Sequence, residues 1–280
     1  MKRAIKMSLL GLLTMGMFAS CNPEKEENEN PQEDERSYTE TALGLDMRMV
    51  YVEGGIFEMG ATAEQADDTR NNEKPVRTVK VDSYYIGKYE VTQAQWEAVM
   101  GTTLEEQRAM SSSVNGIVGE GSDFPMYYVS WADAQAFCEK LSEQTGRKYV
   151  LPTEAQWEYA ARGGHKSKHF KYSGSNNLDN VAWYMENSQE QPHRVGTKRS
   201  NELGICDMSG NVWEWCSDWY SSYKEDDTDN PQGPADGVRR VVRGGSWGMV
   251  AEGCRVSYRG SDSFPDSRFN HLGFRVAVLL

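Results

Sequence analysis

Positive charge and histidine are both scarce in this sequence. Asp and Glu number 42 against 30 Lys and Arg, so the formal net charge is −12, and there are only four His. A chain with this balance repels polyanions, so we expect no nucleic-acid partner. His165 and His169 are four residues apart, but their surroundings, GGHKSKHFK, are basic and contain no carboxylate. This setting favours a solvated loop over a metal site.

Long apolar runs are absent except at the start of the chain. Lys2, Arg3 and Lys6 precede an apolar run from Met7 to Ala19, which is too short to span a bilayer and is typical of a secretory signal. The run ends in small residues before Cys21, which resembles a lipoprotein signal in which Cys21 becomes the lipidated first residue. An ordinary cleaved signal is the alternative. Loss of residues 1–20 removes three positive charges and takes the net charge from −12 to −15.

The residues after the signal have few apolar side chains to bury. Between Asn22 and Glu40 there are eight acids against Lys25 and Arg36. This composition predicts a disordered tether over residues 21–45. Its Lys25-Glu26-Glu27 resembles the acidic export signal of surface lipoproteins in Bacteroidetes-type bacteria. We therefore expect a lipid-anchored protein of the cell envelope, in the outer membrane, with exposure at the cell surface left open.

Cysteine is also sparse, with five residues in the whole chain. Four of them follow the tether in an exported chain, so disulfides are allowed, and four cysteines permit three pairings: Cys138, Cys206, Cys216 and Cys254. Their spacing does not choose among the pairings. No second pair at zinc-finger spacing accompanies Cys206 and Cys216, so we expect no structural zinc.

The remaining chain of about 230 residues, 46–280, is predicted to form one domain of the α+β class. Met49 to Gly60 and Val76 to Val91 have apolar and β-branched patterns typical of antiparallel strands with a hairpin. Helices are predicted after the capping residues Thr92, Ser130 and Thr153. Thr102 to Asp123 is predicted as a surface loop, and Gly163 to Gly237 shows little periodicity.

Leu203 to Trp219, LGICDMSGNVWEWCSDW, fits neither an amphipathic helix nor an alternating strand. Its three tryptophans favour core positions. Two carboxylates and two main-chain carbonyls fall at positions i, i+3, i+5 and i+7: Asp207, Gly210, Val212 and Glu214. Calcium prefers such a mixture of oxygen ligands in an irregular loop. The alternative is that Asp207 caps a turn and Glu214 accepts main-chain hydrogen bonds without metal.

The same stretch carries a family resemblance. GICDMSGNVWEW is similar to the signature of the formylglycine-generating enzyme (sulfatase-modifying factor) family, and four further segments agree in order: GGIFEMG, KYEVTQAQWEAVMG, LPTEAQWEYAARGG, and RVVRGGSW ending in LGFRVA. The match runs from about Met49 to Leu280. It implies a C-type-lectin-related fold with short antiparallel strands, a few helices and much irregular structure, held by calcium, buried tryptophans and disulfides.

The resemblance leaves the activity open. Catalysts of this family oxidise a substrate cysteine to formylglycine with copper(I) held by two cysteines five residues apart. In GGSWGMVAEGCRVSYRG, Cys254 stands at the second position and Met249 at the first, and Ser246 is retained beside them. Copper(I) prefers thiolates, so the pair is broken. Cys254 and Ser246 would be catalytic only if the enzyme hypothesis holds. The ergothioneine-type iron branch needs a histidine and carboxylate triad that does not appear here.

The alternative is a non-catalytic lipoprotein that uses this fold to bind. The segment from Ser246 to His271 interleaves aromatic and polar side chains, which suit adaptable recognition: Tyr258, Asp262, Phe264, Arg268 and Asn270. We interpret the chain as an envelope-anchored lipoprotein that binds a protein or a small ligand through this C-terminal surface. The second hypothesis is a copper-dependent oxidase that converts a sulfatase cysteine to formylglycine, or another oxidoreductase of this family.

Overall fold

The computed structural model describes residues 31, 34–65, 69–260 and 263–280. Within these residues, four α-helices and ten short strands alternate with long irregular stretches. The helices are α1 (Gln93–Met100), α2 (Leu104–Ala109), α3 (Trp131–Thr145) and α4 (Glu154–Ala161). The strands are β1 (Tyr38–Glu40), β2 (Met47–Val52), β3 (Gly55–Met59), β4 (Arg77–Val81), β5 (Tyr84–Gly87), β6 (Tyr149–Val150), β7 (Trp213–Trp219), β8 (Arg240–Arg243), β9 (Leu272–Gly273) and β10 (Ala277–Leu279).

The described strands form three sheets. An antiparallel sheet has the order β1-β2-β5-β10-β6, and β3 pairs with β4 in a two-stranded sheet. The third sheet has β7 in the middle, antiparallel to β8 and parallel to β9. The predicted strands of the N-terminal region are therefore present, but β2 pairs with β5 and β3 with β4, so the pairing is nested. Strands β8 and β9 both pair with β7 and thereby bring the C-terminal segment to it.

The predicted helix starts are confirmed by their capping contacts. Thr92, Ser130 and Thr153 each accept a hydrogen bond from the main-chain N–H three residues later, and that residue's side chain reaches back to the cap. Helix α2 lies inside the stretch predicted as a surface loop, which corrects that prediction. It begins at a capping box of the same kind, formed by Thr103 and Glu106.

The folded domain begins before the predicted boundary at residue 46. Strand β1 lies inside the predicted tether and pairs along β2, with Tyr38 opposite Met49. The Tyr38 ring packs edge-on against Tyr85 at 5.0 Å between centroids, and its hydroxyl lies 3.2 Å from that of Tyr149. These contacts hold residues 38–40 in the sheet, so the tether is shorter than expected.

The third correction concerns the tryptophan-rich stretch, whose last seven residues form strand β7. Trp213, Glu214, Trp215 and Cys216 are all buried, so both faces of this strand are covered. A strand buried on both faces shows no alternation of polar and apolar residues, which is why the sequence pattern missed it. Cys216 and the three other cysteines predicted to be available for disulfides are buried and unpaired in the structure.

Buried arginines hold the irregular half of the domain together. Arg275 pairs with Glu214, Arg255 with Glu73, and Arg259 with Glu154, each with at least one N–O distance of 2.6 or 2.7 Å. Such pairs stabilise only when both partners stay in place, because removal of one leaves a buried charge uncompensated. They connect segments that are far apart in the sequence and so fix the loops between the strands.

None of the helices in the described ranges combines the length and the apolar character that crossing a bilayer requires. The predicted signal, the lipidation site Cys21 and the predicted binding residue Asp262 lie outside the described residues. His165 and His169 are exposed, as expected for a solvated segment.

Candidate functional site: a cavity beside Met249 and Cys254

A tight turn after β8 places Met249 next to the segment that carries Cys254. Gly244 and Gly245 have φ values of 95° and 77°, a left-handed conformation that favours glycine. A Cβ on Gly245 would lie 2.9 Å from the Cys254 sulfur, so no larger residue fits without movement. The buried Ser246 then accepts a hydrogen bond at its carbonyl from the N–H of Met249, at 2.9 Å.

Cys254 is sealed in an apolar cluster. It is fully buried at the end of a 3-10 helix, Ala251–Cys254, and its carbonyl accepts a hydrogen bond of 2.8 Å from the Ser209 hydroxyl. Burial raises the pKa of its thiol to about 12, with a smaller contribution from Glu252, whereas a main-chain hydrogen bond from Ser246 lowers the pKa. Without a bound metal, Cys254 is therefore a neutral thiol at physiological pH.

Met249 occupies the position of the first copper ligand in the catalysts. Its side chain contacts Gly253, and it packs both against the cluster that contains Cys254 and against the main core. The two residues offer one buried thiol and one thioether, so they do not fit the dithiolate that copper(I) takes in those enzymes. Within the ranges that the structure describes, no group of three or more His, Cys, Asp or Glu side chains is placed to hold a metal ion.

A cavity of about 280 Å³ opens beside Met249. Its walls come from the three-stranded sheet, from the C-terminal segment and from the loop before β4: Arg70, Trp213, Val242, Met249, Tyr258, Arg259, Gly260, Ser263, Phe269, His271 and Leu272. The pairing of β7 with β9 sets Trp213 opposite Leu272, and the Trp213 N–H donates to the carbonyl of His271 at 2.8 Å. The cavity is thus built on paired strands, which restrict its shape.

Aromatic rings form much of the cavity wall. The rings of Trp213 and Tyr258 have centroids 5.9 Å apart at 44°, and those of Phe269 and His271 are stacked at 5.3 Å. Burial lowers the pKa of His271 to about 4, so its imidazole is neutral at physiological pH. Its Nδ1 lies 3.2 Å from the side-chain oxygen of Asn270, which favours the tautomer with a proton on Nδ1.

The charged groups among the described lining residues are two guanidinium groups. That of Arg259 is bound by the carboxylate of Glu154 through contacts of 2.6 and 2.8 Å. That of Arg70 is exposed and lies 4.6 Å from the centroid of the Tyr258 ring. Among the described residues that line the cavity, none is acidic.

The four predicted binding residues that the structure describes have different positions. Tyr258 lines the cavity, and Phe264 is 43% exposed, with the Arg239 guanidinium 5.0 Å from its ring centroid. Arg268 pairs with Asp133 and does not line the cavity, and Asn270 is buried with its carbonyl bonded to the indole N–H of Trp247 at 3.2 Å.

The contacts of Arg268 and Asn270 hold the segment in place. The prediction that Trp213 lies in the core is confirmed, and this residue also lines the cavity, whereas Arg70 was not predicted. Nothing in the sequence pattern pointed to Arg70, because the loop that carries it meets the C-terminal segment only in the folded chain.

The four predicted calcium ligands, Asp207, Gly210, Val212 and Glu214, are all buried. Asp207 is buried with φ 60°, and its Oδ2 accepts a hydrogen bond of 2.6 Å from the Gly196 N–H, whereas its buried Oδ1 has no hydrogen-bond partner. Burial raises the pKa of Asp207 to about 6. Glu214 has both oxygens within 2.6 Å of Arg275 nitrogens, and it also accepts a bond of 2.7 Å from the Trp157 indole.

A third carboxylate adds to the negative charge at this place. Glu90 is buried and accepts hydrogen bonds from the Val212 N–H at 3.2 Å and from the Asn211 side chain at 2.8 Å. Burial, then Asp207 and Glu214, raise the pKa of Glu90 well above its usual range. The surroundings of Asp207 fit a hard cation, because its buried Oδ1 has no hydrogen-bond partner and a bound cation would supply one. Glu214, in contrast, is already engaged by Arg275.

Comparison with known proteins agrees with this architecture, a mixed helix and strand fold with much irregular structure. Residues 35–280 match the family described as "Sulfatase-modifying factor enzyme 1-like domain". The chain belongs to this family, and the expected fold class is confirmed. It is 34% identical over 262 residues to "Chaperone protein LppX" of Paenibacillus barcinonensis, with 76% of this chain and 82% of that protein covered.

Three further similarities are to one enzyme and to two solved structures. The chain is 32% identical over 285 residues to the formylglycine-generating enzyme of Streptomyces coelicolor, covering 81% of this chain and 88% of that enzyme. Among solved structures, "Treponema denticola variable protein 1" is similar with a TM-score of 0.73 and 31% identity, covering 88% of this chain and 99% of that one. PvdO from Pseudomonas aeruginosa has a TM-score of 0.74 at 23% identity, over 87% and 98% of the two chains.

Proposed function

We propose that this protein is an envelope-anchored binding protein that takes a small ligand or a protein partner at its C-terminal segment and does not form formylglycine. The single observation that carries the proposal is the state of the two residues at the copper positions. Met249 replaces the first cysteine, and Cys254 is a fully buried thiol whose pKa is raised to about 12. One thiol beside a thioether is a poorer site for copper(I) than the two thiolates that hold the metal in the catalysts.

The cavity supports the binding half of the proposal. It lies where the C-terminal segment meets β7, and its aromatic walls are fixed by strand pairing and by buried ion pairs, so little ordering is needed when a ligand binds. Tyr258 lines this cavity, and the exposed ring of Phe264 belongs to the same segment. The similarity to a protein named as a chaperone supports a polypeptide partner, because chaperones act by binding polypeptides.

The second candidate function is the copper-dependent oxidation of a sulfatase cysteine to formylglycine. The likeness to the Streptomyces coelicolor enzyme favours it, as do the retained Cys254 and Ser246. A methionine thioether is a soft ligand for copper(I), so a Met249 and Cys254 pair is chemically conceivable, though weaker than two thiolates.

We further propose that lipid on Cys21 anchors the protein in the cell envelope, in the outer membrane. The basis is the N-terminal sequence alone, since a short apolar run followed by small residues and a cysteine suits a lipoprotein signal. A single lipid chain gives weak attachment, and the multiple acylation typical of such signals gives a stable one.

Calcium is proposed as a structural cofactor at Asp207, Gly210, Val212 and Glu214. The buried Oδ1 of Asp207, which has no hydrogen-bond partner, supports a bound cation at this place. Main-chain carbonyls would complete the ligand set, as is usual for this ion. The ion would neutralise charge behind β7 and thereby hold the strand that forms one cavity wall.

A peptide assay tests the choice between binding and oxidation. The purified protein is incubated with copper(I), oxygen and a CxPxR-containing peptide, and the peptide is weighed by mass spectrometry. The Streptomyces coelicolor enzyme serves as the positive control in the same buffer, and Cys254→Ser as the matched variant. We expect unmodified peptide with wild type. Formylglycine that appears with wild type and not with Cys254→Ser would establish the oxidase instead.

A further inference from the structure

We propose that the cavity beside Met249 takes a single aromatic side chain whose carbon skeleton ends in a carboxylate, and that Arg70 binds this carboxylate. This inference rests on the proposed function and names the chemical class of the ligand. The class includes free aromatic acids and the C-terminal residue of a peptide.

The charge at the cavity favours a ligand with a negative group. The chain as a whole carries a formal net charge of −12, yet no described residue that lines the cavity is acidic. Arg259 is neutralised by the two oxygens of Glu154, and His271 is neutral because burial lowers its pKa to about 4. The Arg70 guanidinium is therefore the one uncompensated charge among these described lining residues.

The environment of Arg70 leaves its guanidinium able to bind a carboxylate. Its guanidinium contacts the face of the Tyr258 ring and forms no ion pair with a carboxylate of the described residues. A guanidinium that lies over an aromatic ring still has its N–H groups free at its edge. A carboxylate can accept two parallel hydrogen bonds from these groups. Arg70 is exposed at the rim, so a ligand reaches it without any rearrangement of the core.

The walls and the size define the rest of the ligand. Trp213, Tyr258 and Phe269 supply aromatic surface, and Met249 adds a polarisable thioether, a combination that favours an aromatic ring over an alkyl chain. The volume of about 280 Å³ lies at the lower end of the range for small-molecule sites, which suits one aromatic residue and excludes a large cofactor. With the ring inside the cavity, the carboxylate would remain at the rim beside Arg70.

The test compares acids with their uncharged amides. N-acetylphenylalanine, its primary amide, the peptide Gly-Ser-Gly-Phe and the same peptide amidated at its C-terminus are titrated by calorimetry at low salt. The proteins are wild type, Arg70→Gln and Arg194→Gln. Arg194 is the matched control, because it is 60% exposed, pairs with Asp123 and lines a different cavity.

We expect wild type and Arg194→Gln to bind each acid roughly tenfold more tightly than its amide, the effect of one charge-assisted hydrogen-bonded pair. In Arg70→Gln the preference should fall to roughly twofold or less, and in wild type it should shrink as salt screens the exposed charge. Equal melting temperatures would show that the variants are folded.

The peptide and the free acid identify the source of the ligand. Tighter binding of the peptide points to a chain terminus and equal binding to a small molecule, and both support the proposed chemistry. If no probe binds, or if Arg70→Gln keeps the preference for acids, the proposal is wrong.

If the acid and the amide bind wild type equally, and if neither binds a cavity-filling Met249→Trp variant, the inference about the carboxylate is wrong but the binding function stands. Formylglycine formation in the peptide assay would overturn the binding function itself.

Discussion

Replacement of Asp207 with asparagine should stabilise the calcium-free protein and abolish its stabilisation by calcium. Asp207 is 2% exposed, and burial raises its pKa from 3.8 to about 6. Asparagine has the same shape as the protonated acid, can accept the Gly196 N–H, and tolerates the φ of 60° at this position better than most residues. The substitution therefore removes the charge and leaves the local structure unchanged.

The direction and the size of the change in stability follow from proton linkage. A carboxyl whose folded-state pKa is raised destabilises the folded state once it ionises, so stability is lost as pH rises from about 4 to about 6. A shift of about two pKa units corresponds to about 3 kcal/mol at pH 7 and to roughly half of that at pH 5. Calcium offsets most of this difference at pH 7, because only wild type would gain from the ion, by about 2.7 kcal/mol at a concentration 100 times its Kd.

Urea unfolding followed by tryptophan fluorescence measures both effects, at pH 5 and pH 7, in EDTA and in calcium chloride. The exposed Asp123→Asn variant is the control, and we expect it to follow wild type in every condition. The account of the buried charge is refuted if Asp207→Asn is less stable than wild type in EDTA at pH 7. If calcium stabilises wild type and Asp207→Asn equally, the ion does not bind at Asp207.

Three further predictions concern the turn, the thiols and the anchor. Gly245→Ala should lower the free energy of unfolding by about 2 kcal/mol or more, because its Cβ would crowd Cys254. The control Gly248→Ala has open space around its Cβ and should change the free energy of unfolding by less than about 0.5 kcal/mol. Equal effects of the two substitutions would contradict the packing of the turn. Iodoacetamide at about pH 8 should leave the four buried cysteines of the domain unmodified until urea is added, because burial raises the pKa of each thiol. Alkylation of these cysteines in the native protein, measured by mass spectrometry, would contradict the prediction. A clickable fatty acid should label wild type and not Cys21→Ala, and equal labelling would exclude lipid at that residue.

Local features of the fold were predictable from sequence because the groups that decide them are neighbours. A capping residue and its partner three positions later set each helix start, as at Thr92, Ser130 and Thr153. Helix α2 carries the same signal at Thr103 and Glu106, but the polar composition around it pointed to a loop. Strand β7 was missed for a different reason, since burial on both faces removes the period of two.

The candidate site was only partly predictable because its parts meet across the chain. The ordered motifs indicated Cys254, Met249 and the C-terminal segment, and Tyr258 of that segment lines the cavity, which the sequence did not predict. Arg70 approaches from a segment almost 190 residues away from that ring, so neither spacing nor periodicity connects them. Likewise, the spacing of Asp207 and Glu214 predicted a shared cation but gave no sign that Arg275 binds Glu214.

The most direct test of the account is the methyl signal of Met249 in protein labelled with [methyl-¹³C]methionine, assigned with a Met249→Leu variant. This residue is at once the would-be first copper ligand and part of the cavity wall. The account predicts that N-acetylphenylalanine shifts the signal and that copper(I) does not. A Met249 signal that moves with copper(I), with no response to the aromatic acid, would contradict the assignment of this site to binding.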